Sequence, residues 1–166
     1  MRFEEFATAR LPALLRYATV LSGDADLARD LVQEVLVRAL LKWRRVSAAD
    51  EPYAYVRTMV TNEYLSLMRR RRVRATASRY EGLDDAVLAD PASTVTQRLD
   101  LWRAVLALPL RQRAVIVLRY YEDLSDTDIA QTLGCRPTTV RGYAHRALSA
   151  LRVDVSELTA SGRSQP

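Results

Sequence analysis

The chain contains 166 residues with a formal net charge of +5; 49% of the residues are hydrophobic and 27% are charged, which is typical of a folded globular protein. It has no run of about eighteen apolar residues and begins with a polar, charged segment, so we expect neither a membrane span nor a secretory signal and predict a cytoplasmic protein. Cys135 is the only cysteine, which excludes an internal disulfide and a multi-cysteine metal site.

Positive charge is concentrated in two segments of the chain. Residues 1–68 sum to zero, whereas residues 69–79 contain six arginines and no acid. Residues 80–100 carry a net charge of −4, and residues 101–153 carry +4. Two separated basic segments are what a protein needs if it contacts a polyanion at two points, so the charge pattern favours nucleic-acid binding.

Three amphipathic helices are predicted in residues 1–72. The first contains Pro12, which is expected to kink the helix or divide it in two. Gly23 and Asp24 end this helix and cap the second, and a third is expected to start near Pro52 and run into the arginines at 69–72. The apolar stripes of the first two helices are Phe3, Phe6, Leu14, Tyr17, Ala18 and Leu21, and Leu27, Leu31, Val35, Ala39 and Trp43.

Two polar faces accompany these stripes. The second helix carries a ridge formed by Asp30, Gln33, Glu34 and Arg38. The third helix is predicted to expose Arg57, Thr58, Thr61, Asn62 and Arg69. Glu63 falls near the middle of its apolar face, where an unpaired carboxylate is costly, so we expect an arginine to neutralise it or the residue to lie at the bundle edge. Solvated helix surfaces and a basic hinge without a ligand are the alternative interpretations.

The second half of the chain is predicted to form a second helical domain. Residues 73–96 mix small, polar and acidic residues without a period, which predicts a flexible linker that spans roughly 80 Å when fully extended. Helices are predicted at 97–107 and 110–121, before a helix-turn-helix, and the residues beyond about 154 are expected to be a frayed tail. The predicted fold is therefore all-α, with two small helical domains joined by a linker.

The segment from Ser125 to Arg152 is predicted to form the helix-turn-helix. Ser125 and Asp128 supply a capping-box-like start, Gly134 permits the positive φ of a sharp turn, and Pro137 suits the first turn of the next helix. Residues facing inward are expected to be Val140, Tyr143, Ala144, Ala147, Leu148 and Leu151. The outer face contains arginines, threonines and a histidine but no acid, which suits a DNA major groove. A surface helix of an ordinary bundle is the alternative.

Three segments of the sequence carry a family resemblance: DLVQEVLVRALLKW (30–43), PYAYVRTMVTNEYLSLMRRRR (52–72) and LPLRQRAVIVLRYYEDLSDTDIAQTLGCRPTTVRGYAHRALSALR (108–152). In this order and spacing they resemble regions 2.2, 2.3 to 2.4, and 4 of the extracytoplasmic-function (ECF) sigma factors, which are promoter-recognition subunits of bacterial RNA polymerase. The arginine run resembles that of an actinobacterial subgroup. The resemblance implies sigma region 2 in 1–72, a linker in 73–96, region 4 in 97–153 and a tail in 154–166.

The resemblance also implies roles for individual residues. The residues implied to bind the β′ clamp of core polymerase are Asp30, Gln33, Glu34 and Arg38. Region 4 is implied to bind the β flap. The residues implied to contact the minus 10 element are Arg57, Thr58, Thr61, Asn62, Arg69 and Arg70. Asn62 matches an asparagine that helps hold an extruded base, which needs both a donor and an acceptor. The residues implied to contact the minus 35 element are Arg136, Thr138, Thr139, Arg141, Tyr143, His145 and Arg146. An anti-sigma factor is a further implied partner.

Some positions depart from the family pattern. Thr58 and Thr61 stand where many relatives carry arginine, and Glu63 stands where an aliphatic residue is common. Tyr143 replaces a frequent arginine and Ala144 a frequent leucine, so we expect Tyr143 to fold partly inward over the space beside Ala144. The promoter preference of this chain is therefore expected to be its own.

The predicted function is that of a sigma factor, which directs promoter-specific initiation by binding core polymerase and the minus 10 and minus 35 elements. The sequence has no phosphate-binding glycine loop, metal-ligand cluster or nucleophile paired with a base, so we expect no catalytic residue, metal, cofactor or small-molecule substrate. Two alternatives are a stand-alone helix-turn-helix transcriptional regulator and a sigma-like decoy that binds polymerase or an anti-sigma factor.

Overall fold

The computed structural model describes residues 1–77 and 96–161, with side chains described for residues 1–75 and 100–152. All regular structure in these ranges is α-helical, which confirms the predicted all-α class. The helices are α1 (Phe3–Ser22), α2 (Ala25–Leu41), α3 (Trp43–Ser47), α4 (Pro52–Ala77), α5 (Thr96–Ala107), α6 (Leu110–Tyr120), α7 (Asp126–Leu133) and α8 (Pro137–Ser161). Within the described residues, no helix is long and apolar enough to cross a membrane.

Helices α1, α2 and α4 pack together as an N-terminal bundle, and the short α3 joins α2 to α4. The turn between α1 and α2 forms as expected, because Gly23 adopts a φ of 74° and Asp24 Oδ1 accepts hydrogen bonds from the next helix's N–H groups at 2.9 and 3.0 Å. The buried core consists mainly of the predicted stripes, joined by residues of α4, and contains Phe6, Leu14, Tyr17, Leu21, Leu31, Val35, Ala39, Val56, Val60 and Tyr64.

Two details of this bundle differ from the prediction. Pro12 does not divide α1, and Thr8, whose carbonyl loses its helical partner to the proline, is an exposed residue that water can reach. Trp43 does not extend α2 but begins α3, and its ring packs against Phe3 and Phe6 at centroid distances of 5.3 and 5.1 Å. The indole therefore closes one end of the bundle core.

Helices α5 to α8 form a C-terminal bundle that contains the predicted helix-turn-helix. Ser125 Oγ accepts a hydrogen bond from Asp128 N at 3.1 Å to cap α7, and Pro137 begins α8. Gly134 ends α7 with φ 61° and ψ 41°, the left-handed conformation expected of the turn. The inward sides of the two helices are joined by buried side chains, including Ile129, Ala130, Leu133, Val140, Ala144 and Ala147.

Two helices extend further than predicted. Helix α4 continues to Ala77, past the arginine run, and α8 continues to Ser161, into the segment expected to be a frayed tail. Residues 73–77 and 154–161 contain neither glycine nor proline, so no residue there interrupts a helix that has already formed. The predicted linker lies outside the described residues from 78 to 95.

The two bundles lie against each other. Helix α4 packs on α6 and α7, and α1 contacts α6. The approach is close at the α1–α2 turn, where a Cβ atom added to Gly23 would lie 2.7 Å from Leu106 Cδ1. The bundles thus form one closed arrangement in this structure.

Two glycines provide a matched test of the helix-turn-helix geometry. Gly134→Ala is expected to lower the free energy of unfolding by about 1 kcal/mol, because alanine resists a positive φ; no atom lies within 4 Å of the added Cβ. Gly142→Ala, inside α8, is expected to raise it by about 0.5–1 kcal/mol, since glycine weakens a helix interior; the added Cβ would meet only Arg146 Nη2 at 3.9 Å. Chemical denaturation measures both, and changes of the same sign would contradict the assigned turn.

Candidate nucleic-acid interface

One side of α8 presents a basic surface to solvent, which we call the α8 face. Its residues are Arg136 and Thr138 at the start of the helix, with Thr139, Arg141, His145 and Arg146 along it. All are exposed except Thr139, which is half-buried. The opposite side of the helix carries the buried Val140, Ala144 and Ala147, so the core fixes which side faces out. The surface can meet phosphates and base edges without any rearrangement of the helix.

Tyr143 lies at the edge of the α8 face. It is half-buried, while Ala144 beside it is fully buried, in agreement with the expected inward fold of the tyrosine. The guanidinium carbon of Arg146 lies 5.3 Å from the centre of the Tyr143 ring, a cation–π distance. The ring therefore restrains the position of Arg146.

The predicted ridge on α2 is present at the surface, and we call it the α2 ridge. Asp30, Gln33, Glu34 and Arg38 are all exposed. The Arg38 guanidinium donates to Glu34 Oε1 at 2.9 Å. A row of acidic and amide groups ending in a paired arginine is a surface that a basic protein partner can bind through hydrogen bonds and charge.

Part of the predicted surface of α4 is exposed and part is not. Asn62, Arg69 and Arg70 are exposed, and we call these three residues the α4 face. Arg57 and Thr61 were predicted to be exposed, and that prediction is wrong, because they are only 7% and 0% exposed.

The burial of Arg57 and Thr61 has two separate causes. Thr61 Oγ1 donates to the Arg57 carbonyl at 2.9 Å and shares a 2.7 Å hydrogen bond with the Tyr17 hydroxyl on α1, so it belongs to the bundle core. Arg57 is covered by the C-terminal bundle, which a helical projection of α4 alone does not include. Thr58, half-buried, lies in the same contact with its Oγ1 3.4 Å from Thr132 Oγ1 on α7.

The contact between the bundles is centred on Glu122, in the turn between α6 and α7. Glu122 Oε2 accepts from Arg57 Nη1 at 2.7 Å, and both side chains are about nine-tenths buried. The Tyr53 hydroxyl donates to Glu122 Oε1 at 3.3 Å, and burial, followed by the charge of Glu122, raises the pKa of Tyr53 to about 12. The Arg57 guanidinium carbon also lies 5.6 Å from the Tyr53 ring centre.

A second polar contact joins the bundles through Arg113 on α6. Its Nη1 donates to the Tyr64 hydroxyl on α4 at 2.8 Å, and its Nη2 donates to the Leu106 carbonyl. Glu122, Tyr53 and Arg113 were not identified from the sequence as functional residues. The paired residues are separated by 49 to 69 positions along the chain, so no local pattern links them.

Glu63 is neutralised as expected. Its Oε2 accepts from Arg38 Nη1 at 2.6 Å and its Oε1 from Arg70 Nη2 at 2.9 Å. Burial works to raise the pKa of Glu63, but the hydrogen bonds and charges of Arg70 and Arg38 outweigh it and hold the pKa below its ordinary value. The carboxylate predicted on the apolar face of α4 is therefore neutralised by an ion-pair network between α2 and α4.

A cleft of about 810 Å³ lies between the N-terminal bundle and α7. Asn62 and Glu63 of α4 line one side, and Asp128 and Gln131 of α7 line the other. Among the described side chains, no group of three or more His, Cys, Asp or Glu residues is arranged to hold a metal ion. The polar groups of the cleft are hydrogen-bonding groups of both senses, which suit a base or a peptide.

The comparisons with known proteins agree with the resemblance seen in the sequence. The family model of Sigma-70 region 2 matches residues 6–87, and that of Sigma-70, region 4 matches residues 98–151. The RNA polymerase sigma-E factor of Streptomyces avermitilis is 34% identical over 155 residues, which cover 93% of this chain and 86% of that protein. The ECF RNA polymerase sigma factor SigL of Mycobacterium tuberculosis is 33% identical over 150 residues, which cover 87% of this chain and 84% of SigL.

A solved structure supports the same assignment. The crystal structure of the sigma factor RpoE in complex with the anti-sigma factor NepR from Bartonella quintana matches 93% of this chain and 96% of its own chain, with a TM-score of 0.75 and 30% identity. Sequence and fold agree over nearly the whole length, and the prediction made from the three sequence segments is confirmed. The chain therefore belongs to the sigma-70 family, as an ECF RNA polymerase sigma factor.

Proposed function

We propose that this sigma factor reads its promoters with two surfaces, the α8 face at the minus 35 element and the α4 face at the minus 10 element. The observation that carries the proposal is the exposed, acid-free α8 face, which is held by a rigid apolar core behind it. Residues 1–72 act as the domain that binds polymerase and minus 10 DNA, and residues 97–153 as the domain that binds minus 35 DNA. Residues 73–96 link the two and include the end of α4, and residues 154–166 follow and include the end of α8.

At the minus 35 element, the α8 face enters the major groove. Arg136 and Arg141 bind phosphates or guanine edges, and Thr138 and Thr139 bind phosphates or base edges. His145 and Arg146 extend the contact along the backbone, and the Tyr143 ring holds Arg146 in place.

At the minus 10 element, Asn62 holds an extruded base through its amide group while Arg69 and Arg70 bind the strand's phosphates. Strand opening is driven because the protein binds the unpaired strand more tightly than the duplex, and the chain itself catalyses no reaction. The protein acts in the cytoplasm, where transcription takes place.

Two protein partners follow from this role. The exposed α2 ridge binds the β′ clamp of core polymerase, and the C-terminal bundle binds the β flap. The similar RpoE structure contains an anti-sigma factor, which supports the proposal that an anti-sigma factor also holds this chain inactive.

The closed arrangement of the bundles represents an inactive form. It buries Arg57 and partly buries Thr58, two residues proposed to contact minus 10 DNA, and it places α7 across the cleft from Asn62. Thr61 is held within the N-terminal bundle, so its contribution is structural unless that bundle also rearranges. Opening replaces the Glu122 carboxylate on Arg57 with phosphate oxygens of the same charge sign.

In vitro transcription with core polymerase on a library of genomic fragments tests the function. We expect start-site-specific transcripts that require this chain. A protein that binds an operator without polymerase would instead be a stand-alone regulator. A protein that binds polymerase and yields no transcript with its own organism's core enzyme would be a decoy.

The role of Asn62 predicts a step-specific defect. Asn62→Ala is expected to reduce promoter opening more than closed-complex binding, because the amide contacts a base only after the base leaves the duplex. Permanganate footprinting measures opening, and gel shift at low temperature measures closed-complex binding. Thr8→Ala changes another exposed polar residue, on α1, and serves as the control. Equal losses in both steps would contradict the assigned role.

The Glu122 contact predicts a matched pair of variants. Glu122→Gln removes the charge that neutralises buried Arg57, which is expected to destabilise the closed form by about 2–5 kcal/mol. The neighbouring Asp123→Asn removes the same charge from an exposed residue and is expected to have no effect. Small-angle scattering should show a larger radius of gyration for Glu122→Gln alone. Identical curves for the two variants would refute the closing role of Glu122.

A further inference from the structure

The ion-pair network around Glu63 fixes two surface arginines to one internal carboxylate. The Glu63 side chain is 12% exposed, whereas the Arg38 and Arg70 side chains are 46% and 51% exposed. Each carboxylate oxygen accepts from one arginine, at 2.6 and 2.9 Å. The acid is therefore held in the protein while both cations remain reachable from solvent.

The two arginines depend on Glu63 to different degrees. Arg38 has a second carboxylate partner, because Glu34 Oε1 lies 2.9 Å from it. Arg70 has Glu63 and the Ser66 hydroxyl, which accepts from its Nη1 at 3.1 Å but carries no charge. Loss of the Glu63 charge would therefore release mainly Arg70, the arginine that belongs to the α4 face.

We infer that Glu63 limits the affinity of the α4 face for DNA of any sequence by occupying Arg70. This inference rests on the proposed role of that face in reading minus 10 DNA. A phosphate that approaches Arg70 must replace Glu63. The free energy gained by phosphate binding is therefore the difference between two ion pairs and not the full value of one. Asn62, the adjacent residue, has no such internal competitor among the described contacts, and a matching base gains its full hydrogen bonds there.

The charge balance around Asn62 supports this role. Thr58, on the same helix, is uncharged, and Arg57 is already paired with Glu122. Of the three arginines of α4 between positions 57 and 70, Arg57 and Arg70 are ion-paired, and the described residues provide no ion pair for Arg69. A smaller sequence-independent phosphate contribution lowers the affinity for every site, so less of the protein is held on DNA that offers Asn62 no matching base.

The test uses the full chain and a labelled single strand of random sequence, with affinity measured by fluorescence anisotropy at several salt concentrations. Glu63→Gln is expected to tighten binding about three- to tenfold at low salt and to steepen the slope of log affinity against log salt by roughly 0.7, the value of one added phosphate contact. Glu4→Gln removes the same charge from an exposed residue of α1 and is expected to leave the slope unchanged.

A second pair of variants gives the same test without altering Glu63. Arg70→Gln is expected to weaken random-strand binding less than Arg69→Gln, since only Arg70 is already occupied by a carboxylate. A loss for Arg70→Gln that equals or exceeds the loss for Arg69→Gln would overturn the inference, as would an unchanged salt slope for Glu63→Gln. Polymerase-dependent transcription by the wild-type chain is a separate readout, so the sigma assignment can hold while this inference fails.

Discussion

A buried arginine and a buried glutamate on different bundles control what the rest of the molecule can do. Arg57 and Glu122 are each about nine-tenths buried and lie 2.7 Å apart, and either one left unpaired in that environment would cost several kcal/mol. A small separation of the bundles is therefore unfavourable, because it would break the Arg57–Glu122 ion pair before water could hydrate both side chains. By this argument a form with the pair intact and a form with both groups hydrated are each favoured over the arrangements between them. The contact between the bundles then has the character of a two-state element.

The two candidate DNA surfaces are affected differently by that element. On the α8 face, Arg136 and Arg141 are exposed, and the described residues provide no ion pair for either. On α4, Arg57 is paired with Glu122 and Arg70 with Glu63, and the cleft beside Asn62 is bounded by α7. If these surfaces read DNA as proposed, the closed chain presents the α8 face while internal carboxylates pair with Arg57 and Arg70 on α4. Under that proposal minus 35 contact does not require opening of the bundles, whereas full minus 10 contact does.

Local sequence signals predicted the helices well and the contact between bundles not at all. Gly134, Ser125 and Pro137 act through backbone geometry within a few residues, so their patterns were sufficient to place the helix-turn-helix. Glu63 was also recognisable, because a carboxylate on an apolar stripe needs a nearby cation, although the identity of its partners required the structure. The sequence predicts an exposed Arg57, because the helical pattern of α4 contains no information about a glutamate 65 positions later in the chain. Helices α4 and α8 end beyond their predicted ends, at Ala77 and Ser161, because their last residues lack the apolar period that predicts a helix but contain no glycine or proline to stop one.

The energy required to open the chain limits how strong the contact between the bundles can be. A ligand shifts an equilibrium only by its difference in affinity for the two forms. The α2 ridge is exposed in the closed form, so polymerase contact with that ridge alone, as proposed, would favour neither state. Under the proposed function, opening is driven by groups that become available only in the open form, chiefly Arg57 and the surroundings of Asn62. Moving the population from mostly closed to mostly open requires about 5.5 kcal/mol of differential binding. A charge-assisted phosphate contact supplies about 1.5–3 kcal/mol and each neutral hydrogen bond to a captured base about 0.5–1.5 kcal/mol, so a few such contacts are sufficient. A much larger apolar contact between the bundles than the one at Gly23 and Leu106 would exceed what a few such contacts can offset.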